Sequence, residues 1–285
     1  MSHTGRCPLD FEVWPEAIEL GRLFAEQGYE LALVGGPVRD LLLHRKSHDL
    51  DFCSSARPEQ FEPILRRWGH DGFWDMGRKF GTLGAMRRRA DGTEVKVEVT
   101  TYRSDTYDPD SRKPEVNYGD TLEGDLSRRD FTVNAMALRV PDLEFVDPFG
   151  GASDLAKGVL RTPVDPSQSF DDDPLRMMRA VRFVAQLGFS IAPDAAEAIS
   201  SMRDRIEIVS AERVRDELTK MLLSDRPRAG LEALVESGLA DIVFPEIPAL
   251  QLQIDEHHRH KDVFEHTMIV LERAIALETG PDGPV

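Results

Sequence analysis

The sequence predicts an α+β protein, with a mixed β-sheet and flanking helices in its first half and an all-α second part. Two observations predict this division. Strand-like alternation of apolar and polar residues recurs between helical segments as far as residue 146. From residue 162 onward only helical periodicity remains. We therefore place a first domain at residues 1–161, a helical domain at 162–250 and the start of a further helical region at 251–285.

Local patterns define the elements of the first domain in order. They predict helices at residues 15–28, 58–68 and 127–138, and strands at 31–34, 49–52, 80–86, 93–103 and 143–146. Ala90-Asp91-Gly92 forms a hairpin turn between two of these strands, and Asp147-Pro148-Phe149-Gly150-Gly151 is a strong turn signal. Residues 104–125 lack periodicity, and a loop of that length in a compact domain is often functional. We expect it to form a mobile flap over a substrate.

The second domain begins with a predicted helix at residues 171–187. An aspartate stands at its N-terminus, Pro174 in its first turn and Gly188 just past its end. One arc of this helix is apolar, and the opposite arc carries Asp173, Arg176, Arg179 and Arg182. Further helices are predicted at residues 194–202, 211–223 and 228–237.

Composition excludes several classes of protein. The chain of 285 residues is 41% hydrophobic and 30% charged, as in a soluble globular protein. No apolar run approaches the ~20 residues of a membrane span, and no secretory signal opens the chain, so we expect a cytoplasmic protein without a membrane partner. Its two cysteines, Cys7 and Cys53, suggest neither a disulfide framework nor a cysteine-rich metal site. Oligomeric state does not follow from the sequence.

The charge balance bears on nucleic-acid binding. A net charge of −16 argues against a protein that coats nucleic acid non-specifically. Local arginine clusters at residues 66–67, 87–89, 128–129 and 176–182 leave two interpretations open. They either contact nucleic acid or pair with the abundant carboxylates on a solvated surface.

The stretch Leu31–Phe52 carries the clearest chemistry. Asp49 and Asp51 share one face of a predicted strand, where two carboxylates repel each other unless a cation lies between them. Mg²⁺ binds carboxylate oxygens together with substrate phosphates. The Gly35-Gly36 turn before a helix offers backbone N–H groups to a phosphate. This combination predicts a protein that handles nucleotides.

Five motifs in order resemble those of the family of tRNA CCA-adding nucleotidyltransferases and bacterial poly(A) polymerases. They are Gly35-Gly36-Pro37-Val38-Arg39-Asp40 with Asp49-Leu50-Asp51, Arg128-Arg129-Asp130-Phe131-Thr132-Val133-Asn134-Ala135, the hinge motif Asp147-Pro148-Phe149-Gly150-Gly151, the base-reading motif Asp172-Asp173-Pro174-Leu175-Arg176-Met177-Met178-Arg179, and Glu212-Arg213. The resemblance implies that residues 1–161 are the nucleotidyltransferase head and 162–250 a neck that binds base and RNA. Residues 251–285 would begin a helical body.

For the head, the resemblance implies that Asp49 and Asp51 hold two Mg²⁺ ions. Glu98 is then either a third catalytic carboxylate beside them or an ordinary solvent-facing strand residue. Asn134 lies near the ribose or is bonded locally. The residues implied to contact the nucleotide phosphates are Gly35, Gly36, Arg39 and Arg129.

For the neck, the resemblance implies that Asp173 and Arg176 act as a protein template for CTP and ATP. C and A share an exocyclic amine next to a ring-nitrogen acceptor, which a carboxylate and a guanidinium can recognise, whereas U and G present a carbonyl to the carboxylate. Arg179 and Arg182 would extend this basic stripe toward the phosphates. Without the other motifs, Asp173 and Arg176 would be interpreted as a surface ion pair.

The implied activity is addition of CMP and AMP, from CTP and ATP, to the 3′ end of tRNA. Poly(A) synthesis and partial addition of C or A alone remain alternatives. A different class is an RNA-binding or HD phosphohydrolase module with a non-functional transferase domain. Residues 257–267 resemble the start of an HD domain, but the His-Asp doublet that such a domain needs does not follow, so we expect that region to be truncated.

Overall fold

A computed structural model describes residues 3–6, 14–45, 49–106, 115–118, 121–252 and 263–279 of the chain. These residues fall into two compact units. The first, here called the sheet unit, comprises residues 1–157 and 161–164, and the second, the helical unit, comprises residues 158–160 and 165–285. None of the helices in the described ranges has the length and hydropathy of a membrane span.

The sheet unit is built on an eight-stranded mixed sheet. The sheet unit contains ten described strands: β1 (His3–Arg6), β2 (Leu31–Val34), β3 (Asp49–Ser54), β4 (Gly72–Trp74), β5 (Thr82–Arg88), β6 (Glu94–Thr101), β7 (Arg103–Thr106), β8 (Glu115–Tyr118), β9 (Ala137–Val140) and β10 (Glu144–Asp147). Eight of them pair in the order β1-β10-β9-β2-β3-β6-β5-β4, whereas β7 pairs with β8. The pairing of β3 with β6 is parallel and the other pairings are antiparallel. The predicted mixed sheet is confirmed.

Helices pack against both faces of this sheet. They are α1 (Pro15–Ala25), α2 (Gly36–Leu42), α3 (Pro58–Trp68), α4 (Leu122–Ser127) and α5 (Gly151–Lys157). Phe24 of α1 and Phe61 of α3 are fully buried, with ring centroids 6.0 Å apart. Along β6 the valines at 95, 97 and 99 are buried, whereas Lys96 and Glu98 on the opposite face are exposed. The polar face is therefore open to solvent around Lys96 and Glu98, whereas farther along the same face Cys53 of β3 is buried beneath Leu122 and Leu126 of α4.

Two predictions for the middle of the sheet unit are wrong. Residues 104–125 are not a structureless flap where the structure describes them, because β7, β8 and the first half of α4 lie there; residues 107–114 and 119–120 lie outside the described residues. The predicted helix at 127–138 is a short 3₁₀ turn, Thr132–Asn134, followed by β9. Phe131 and Val133 are fully buried, and the Thr132 N–H donates to the Arg161 carbonyl (2.7 Å), so tertiary packing overrides helical composition.

The turn signal at residues 147–151 fixes the start of α5. Both carboxylate oxygens of the buried Asp147 accept backbone N–H bonds, from Gly151 (2.7 Å) and Ala152 (3.0 Å). Gly150 adopts a positive φ of 73°. A Cβ atom at Gly151 would overlap the backbone carbonyl of Thr132. These contacts lie within the sheet unit, and a hinge role for this motif stays a prediction.

The helical unit is formed almost entirely by helices. They are α6 (Pro166–Asp172), α7 (Leu175–Leu187), α8 (Pro193–Met202), α9 (Ala211–Leu222), α10 (Pro227–Glu236), α11 (Ala240–Val243), α12 (Glu246–Ala249) and α13 (Val263–Thr279), with 3₁₀ turns at Arg203–Ile208 and Leu250–Leu252. Strands β11 (Val159–Leu160) and β12 (Ser190–Ile191) form one short parallel pair. The predicted α+β class with a helical second part is confirmed, apart from this pair of two-residue strands.

The predicted helix at 171–187 is divided into α6 and α7. Asp173 has an extended backbone (φ −144°, ψ 97°) between them, because the following proline disfavours a helical conformation at the preceding residue. Helix α7 is buried on nearly every side, since it packs against both α9 and α10. The predicted polar arc of this helix is therefore not a solvated face.

We expect Gly151→Ala to lower the free energy of unfolding by about 1–3 kcal/mol, because a backbone carbonyl cannot yield space as a side chain can. Ser153→Ala, an exposed change on the same helix, serves as the control and should stay within about 0.5 kcal/mol of wild type. Urea denaturation followed by circular dichroism measures both. Equal stability of the two variants would contradict the close packing of α5.

Candidate active site

Three carboxylates meet on the open face of the sheet. Asp49 and Asp51 are exposed on β3, and Leu50 between them is buried on the opposite face. The parallel pairing of β3 with β6 sets Asp51 opposite Glu98 and Asp49 opposite Lys96. Because directly paired residues point to the same face, the carboxylates of Asp51 and Glu98 are neighbours. The interpretation of Glu98 as a member of this cluster is thus supported by strand register.

The pKa of Asp51 is raised from its ordinary value of 3.8 to about 6. Desolvation by the surrounding protein is the first cause, and the negative charges of Glu98 and Asp49 add to it, whereas Arg129 acts in the opposite direction. Part of the Asp51 surface stays open to solvent, which moderates the effect of burial. A cation bound at this face would relieve the repulsion.

The donor set fits Mg²⁺. Asp49 and Asp51 provide hard carboxylate oxygens on one rigid strand, and Mg²⁺ is commonly held by one or two carboxylates plus substrate phosphates. Among the described residues, no group of three or more His, Cys, Asp or Glu side chains is arranged as a complete protein metal site. The protein would therefore supply only part of the coordination shell.

The turn between β2 and α2 has room for a guanidinium. Gly35 has φ 74° and ψ −134°, a conformation that favours glycine, and a Cβ atom there would lie 2.9 Å from Nη1 of Arg129. Gly36 begins α2, and Arg39 on this helix donates from Nε and Nη2 to Asp40 Oδ1 (2.9 and 2.8 Å). The two glycines and the two arginines predicted to contact phosphates are thus brought together.

Asn134 belongs to the same cluster. It is buried, accepts a hydrogen bond from Arg39 Nη1 (2.9 Å) and donates from Nδ2 to Asp130 Oδ1 (3.0 Å). Asp130 Oδ1 also accepts the backbone N–H of Phe131 (2.8 Å). Asn134 thus links Arg39 to Asp130, and its position near a ribose stays a prediction.

Asp125 is a residue that the sequence reasoning missed. Its buried carboxylate accepts a hydrogen bond from Arg129 Nη2 (3.0 Å), and Arg128 Nε lies 3.6 Å away. Burial opposes the charge on Arg129, but its pKa is nevertheless raised, because Asp125 stabilises the guanidinium. The three- and four-residue spacing of Asp125 to these arginines was a readable helical signal. The predicted loop over residues 104–125 conflicts with that signal, and the structure places Asp125 on α4.

In the helical unit, Asp173 is paired with Arg213. Arg213 Nη2 of α9 lies 3.2 Å from Asp173 Oδ2, and Asp173 Oδ1 accepts the Leu175 N–H at the start of α7 (3.3 Å). Arg176 is buried and donates from Nη1 to the carbonyl (3.1 Å) and hydroxyl (2.8 Å) of Ser169. Arg213 belongs to the motif Glu212-Arg213, and the sequence alone predicts no role for it.

Arg179 and Arg182, the other two arginines of α7, contact neighbouring side chains of the helical unit. Arg182 forms a buried ion pair with Glu217 of α9, and its Nη1 donates to Gln186 Oε1 (2.7 Å). Its guanidinium carbon also lies 4.2 Å from the Phe183 ring centroid, and that of Arg179 lies 5.9 Å from the same ring. The ion pair between Arg182 and Glu217 joins α7 to α9. Contact of Arg179 or Arg182 with a nucleotide stays a prediction.

The arginine clusters of the sheet unit are engaged with carboxylates. The pairs are Arg66 and Arg78 with Glu62, Arg87 with Glu19, Arg88 with Glu94, and Arg89 with Glu16. Arg66 and Arg87–Arg89 thus follow the ion-pair interpretation. The pKa of Glu16 is lowered, chiefly by its hydrogen bonds from Arg89.

Comparison with known proteins gives the same interpretation as the motifs. Residues 31–161 match the family described as "Poly A polymerase head domain", and residues 188–250 match "Probable RNA and SrmB- binding site of polymerase A". The CCA-adding enzyme of Lactobacillus johnsonii is 37% identical over 233 residues, which cover 81% of this chain and 56% of that protein. The CCA-adding enzyme of Bacillus subtilis is 36% identical over 83% of the chain and 56% of the relative. The chain belongs to the family of CCA-adding nucleotidyltransferases and poly(A) polymerases.

Solved structures of the CCA-adding family share this fold. The crystal structure of Bacillus stearothermophilus CCA-adding enzyme in complex with CTP aligns with TM-score 0.68 and 36% identity, covering 80% of this chain and 53% of that one. The Thermotoga maritima CCA-adding enzyme complexed with tRNA aligns with TM-score 0.73 and 27% identity, covering 96% and 60%. The chain thus spans little more than half the length of these relatives.

The raised pKa of Asp51 predicts a pH effect on the metal-free protein. The folded-state pKa of about 6 exceeds the ordinary 3.8, so the native state binds the extra proton between these values and the free energy of unfolding falls as pH rises through them. We therefore expect Asp51→Asn to stabilise the metal-free protein at pH 7 and not at pH 3.5. The gain should be at most about 1 kcal/mol, because solvent screens the charge.

Urea denaturation in EDTA at the two pH values measures this effect. Asp91→Asn is the control of opposite sign, because the backbone N–H of Thr93 lowers the pKa of Asp91. That variant should be destabilised at neutral pH. Loss of stability in Asp51→Asn at pH 7 would contradict the crowding of like charges on β3.

Proposed function

We propose that this chain carries the active centre of a template-independent nucleotidyltransferase that adds CMP and AMP, from CTP and ATP, to the 3′ end of tRNA. The observation that carries the proposal is the cluster of Asp49, Asp51 and Glu98 on one sheet face beside the glycine turn at residues 35–36. The similarity to CCA-adding enzymes supports the choice of substrate. Residues 1–161 would be the head, 162–250 the neck and 251–285 the start of a body.

In the head, two Mg²⁺ ions held by Asp49 and Asp51 would activate the primer hydroxyl and neutralise the leaving pyrophosphate. Side chains of the protein bind the rest of the nucleotide. Arg39 and Arg129 bind the triphosphate, and both are positioned before the substrate arrives, Arg39 by Asp40 and Arg129 by Asp125. Preorganised cations of this kind stabilise developing charge without reorganising during the reaction.

Glu98 has a separate role in this proposal. It lies beside Asp51 on β6, on the side away from β2 and the phosphate-binding turn. An in-line displacement places the attacking oxygen opposite the leaving group. We therefore assign Glu98 to the side of the primer, where its carboxylate accepts a hydrogen bond from the attacking 3′-hydroxyl.

In the neck, Asp173 would accept a hydrogen bond from the exocyclic amine of C or A. Its backbone is extended at the junction of α6 and α7, and Arg213 and the Leu175 N–H orient its carboxylate. Arg176, held by Ser169, is the proposed donor to the ring nitrogen. U and G would present a carbonyl to Asp173, which leaves the carboxylate facing an acceptor.

The reaction is tested by supplying tRNA that ends before CCA, and tRNA that ends in CC, with each labelled nucleoside triphosphate and Mg²⁺. Addition of two C and one A supports the proposal. Long A tails indicate poly(A) synthesis, and addition of C or A alone indicates a partial enzyme. Absence of any addition, with RNA still bound, favours a binding module.

Asp51→Asn should reduce nucleotide addition by at least about 100-fold, because loss of one carboxylate weakens the hold on the metal ions at the reacting centre. Circular dichroism should show an unchanged fold. Glu94→Gln, four residues before Glu98 on the same strand, is the matched control and should keep activity within a few fold of wild type. Wild-type rates in Asp51→Asn would remove this carboxylate from the mechanism.

Asp173→Ala should relax the preference for CTP and ATP over UTP and GTP by about 10-fold or more, since the misplaced carbonyl no longer meets a carboxylate. Asp171→Ala on α6, exposed and paired with Arg205, is the control. Single-turnover rates with each nucleotide measure the ratio. An unchanged ratio in Asp173→Ala would show that this carboxylate is structural.

A further inference from the structure

Trp74 lies at the far end of a row that begins at the carboxylate cluster. Strand register pairs Trp74 of β4 with Gly84 of β5, Gly84 with Glu98 of β6, and Glu98 with Asp51 of β3. Directly paired residues point to the same face, so all four positions lie on the open polar face. The row runs across four adjacent strands.

The indole of Trp74 fills the space over Gly84. A Cβ atom at Gly84 would overlap the indole ring, so the ring lies directly against the glycine backbone. Its Nε1 donates to Glu98 Oε1 (3.2 Å). Trp74 is only half-buried, which leaves part of an aromatic surface beside a proposed catalytic carboxylate. An aromatic side chain on a polar sheet face is not explained by core packing.

The direction of the reaction decides which substrate would meet this ring. The turn and helix that follow β2 carry Gly36 and Arg39, and β2 flanks β3 on the side opposite β6. In-line displacement therefore puts the leaving pyrophosphate toward β2 and the attacking hydroxyl toward β6. The terminal nucleotide of the primer must then extend over Gly84 toward Trp74, where a base can stack on the indole.

We propose that Trp74 is a primer-binding residue on which the base of the 3′-terminal RNA nucleotide stacks, while its N–H orients Glu98. This inference rests on the proposed function, because it takes RNA as the substrate. Stacking is tolerant of sequence, since every base has an aromatic face, and this suits a site that must accept a different terminal base after each addition.

The test compares binding of two RNA primers, one ending in a normal nucleotide and one whose terminal ribose lacks its base but keeps the 3′-hydroxyl. In the wild type, loss of the base should weaken binding roughly 5- to 100-fold. In Trp74→Leu this penalty should vanish, because no aromatic face remains. Trp74→Phe should keep the penalty but slow nucleotide addition, since it retains the ring and loses the N–H donated to Glu98.

Phe73→Leu is the matched control on the same strand. Phe73 pairs with Ala85 and points to the opposite face, where the Arg66 guanidinium of α3 lies 3.9 Å from its ring centroid. In Phe73→Leu, the loss of affinity for the primer that lacks its terminal base should equal that of the wild type. An equal penalty in Trp74→Leu and wild type overturns the inference, whether or not nucleotide is added. Failure of the wild type to add nucleotide to any primer overturns the proposed function instead, and the comparison of penalties still decides the role of Trp74.

Discussion

Repulsion among carboxylates on one face of β3 and β6 is the constraint to which the rest of the sheet unit responds. Strand pairing holds Asp51 beside Glu98, and the pKa of Asp51 is raised first by desolvation and then by the negative charges of Glu98 and Asp49. The compensating charge comes from Arg129, which is itself held by a buried carboxylate. Asp125 therefore acts at a distance, because it fixes the cation that offsets the cluster. Such layers of support are what hold a reactive constellation in a defined geometry.

Much of this arrangement could be predicted from the sequence, because alternation along β3 and β6 assigns their side chains to faces. The alternation could not show that these two strands are parallel neighbours, since pairing joins residues almost fifty positions apart. Local composition also failed at residues 127–138. There the burial of Phe131 and Val133 selects a short turn and a strand over the helix that composition favours.

The helical unit shows a second limit of local reasoning. Helical periodicity located α7 but left open what its arginines contact, because a single helix does not reveal which neighbours cover it. In the structure α9 covers that side, and Glu217 pairs with Arg182. The break at Asp173 was also readable in principle, since Pro174 follows it. Its partner Arg213, forty residues later, is a tertiary contact without a periodic signal.

The absence of a side chain at Gly84 leaves the space that the Trp74 indole occupies. Any larger residue at position 84 would displace the indole. A smaller residue at position 74 would leave the space above Gly84 unfilled. The two positions therefore constrain each other sterically. A side chain at position 84 should be compatible with this packing only when a residue smaller than tryptophan stands at position 74.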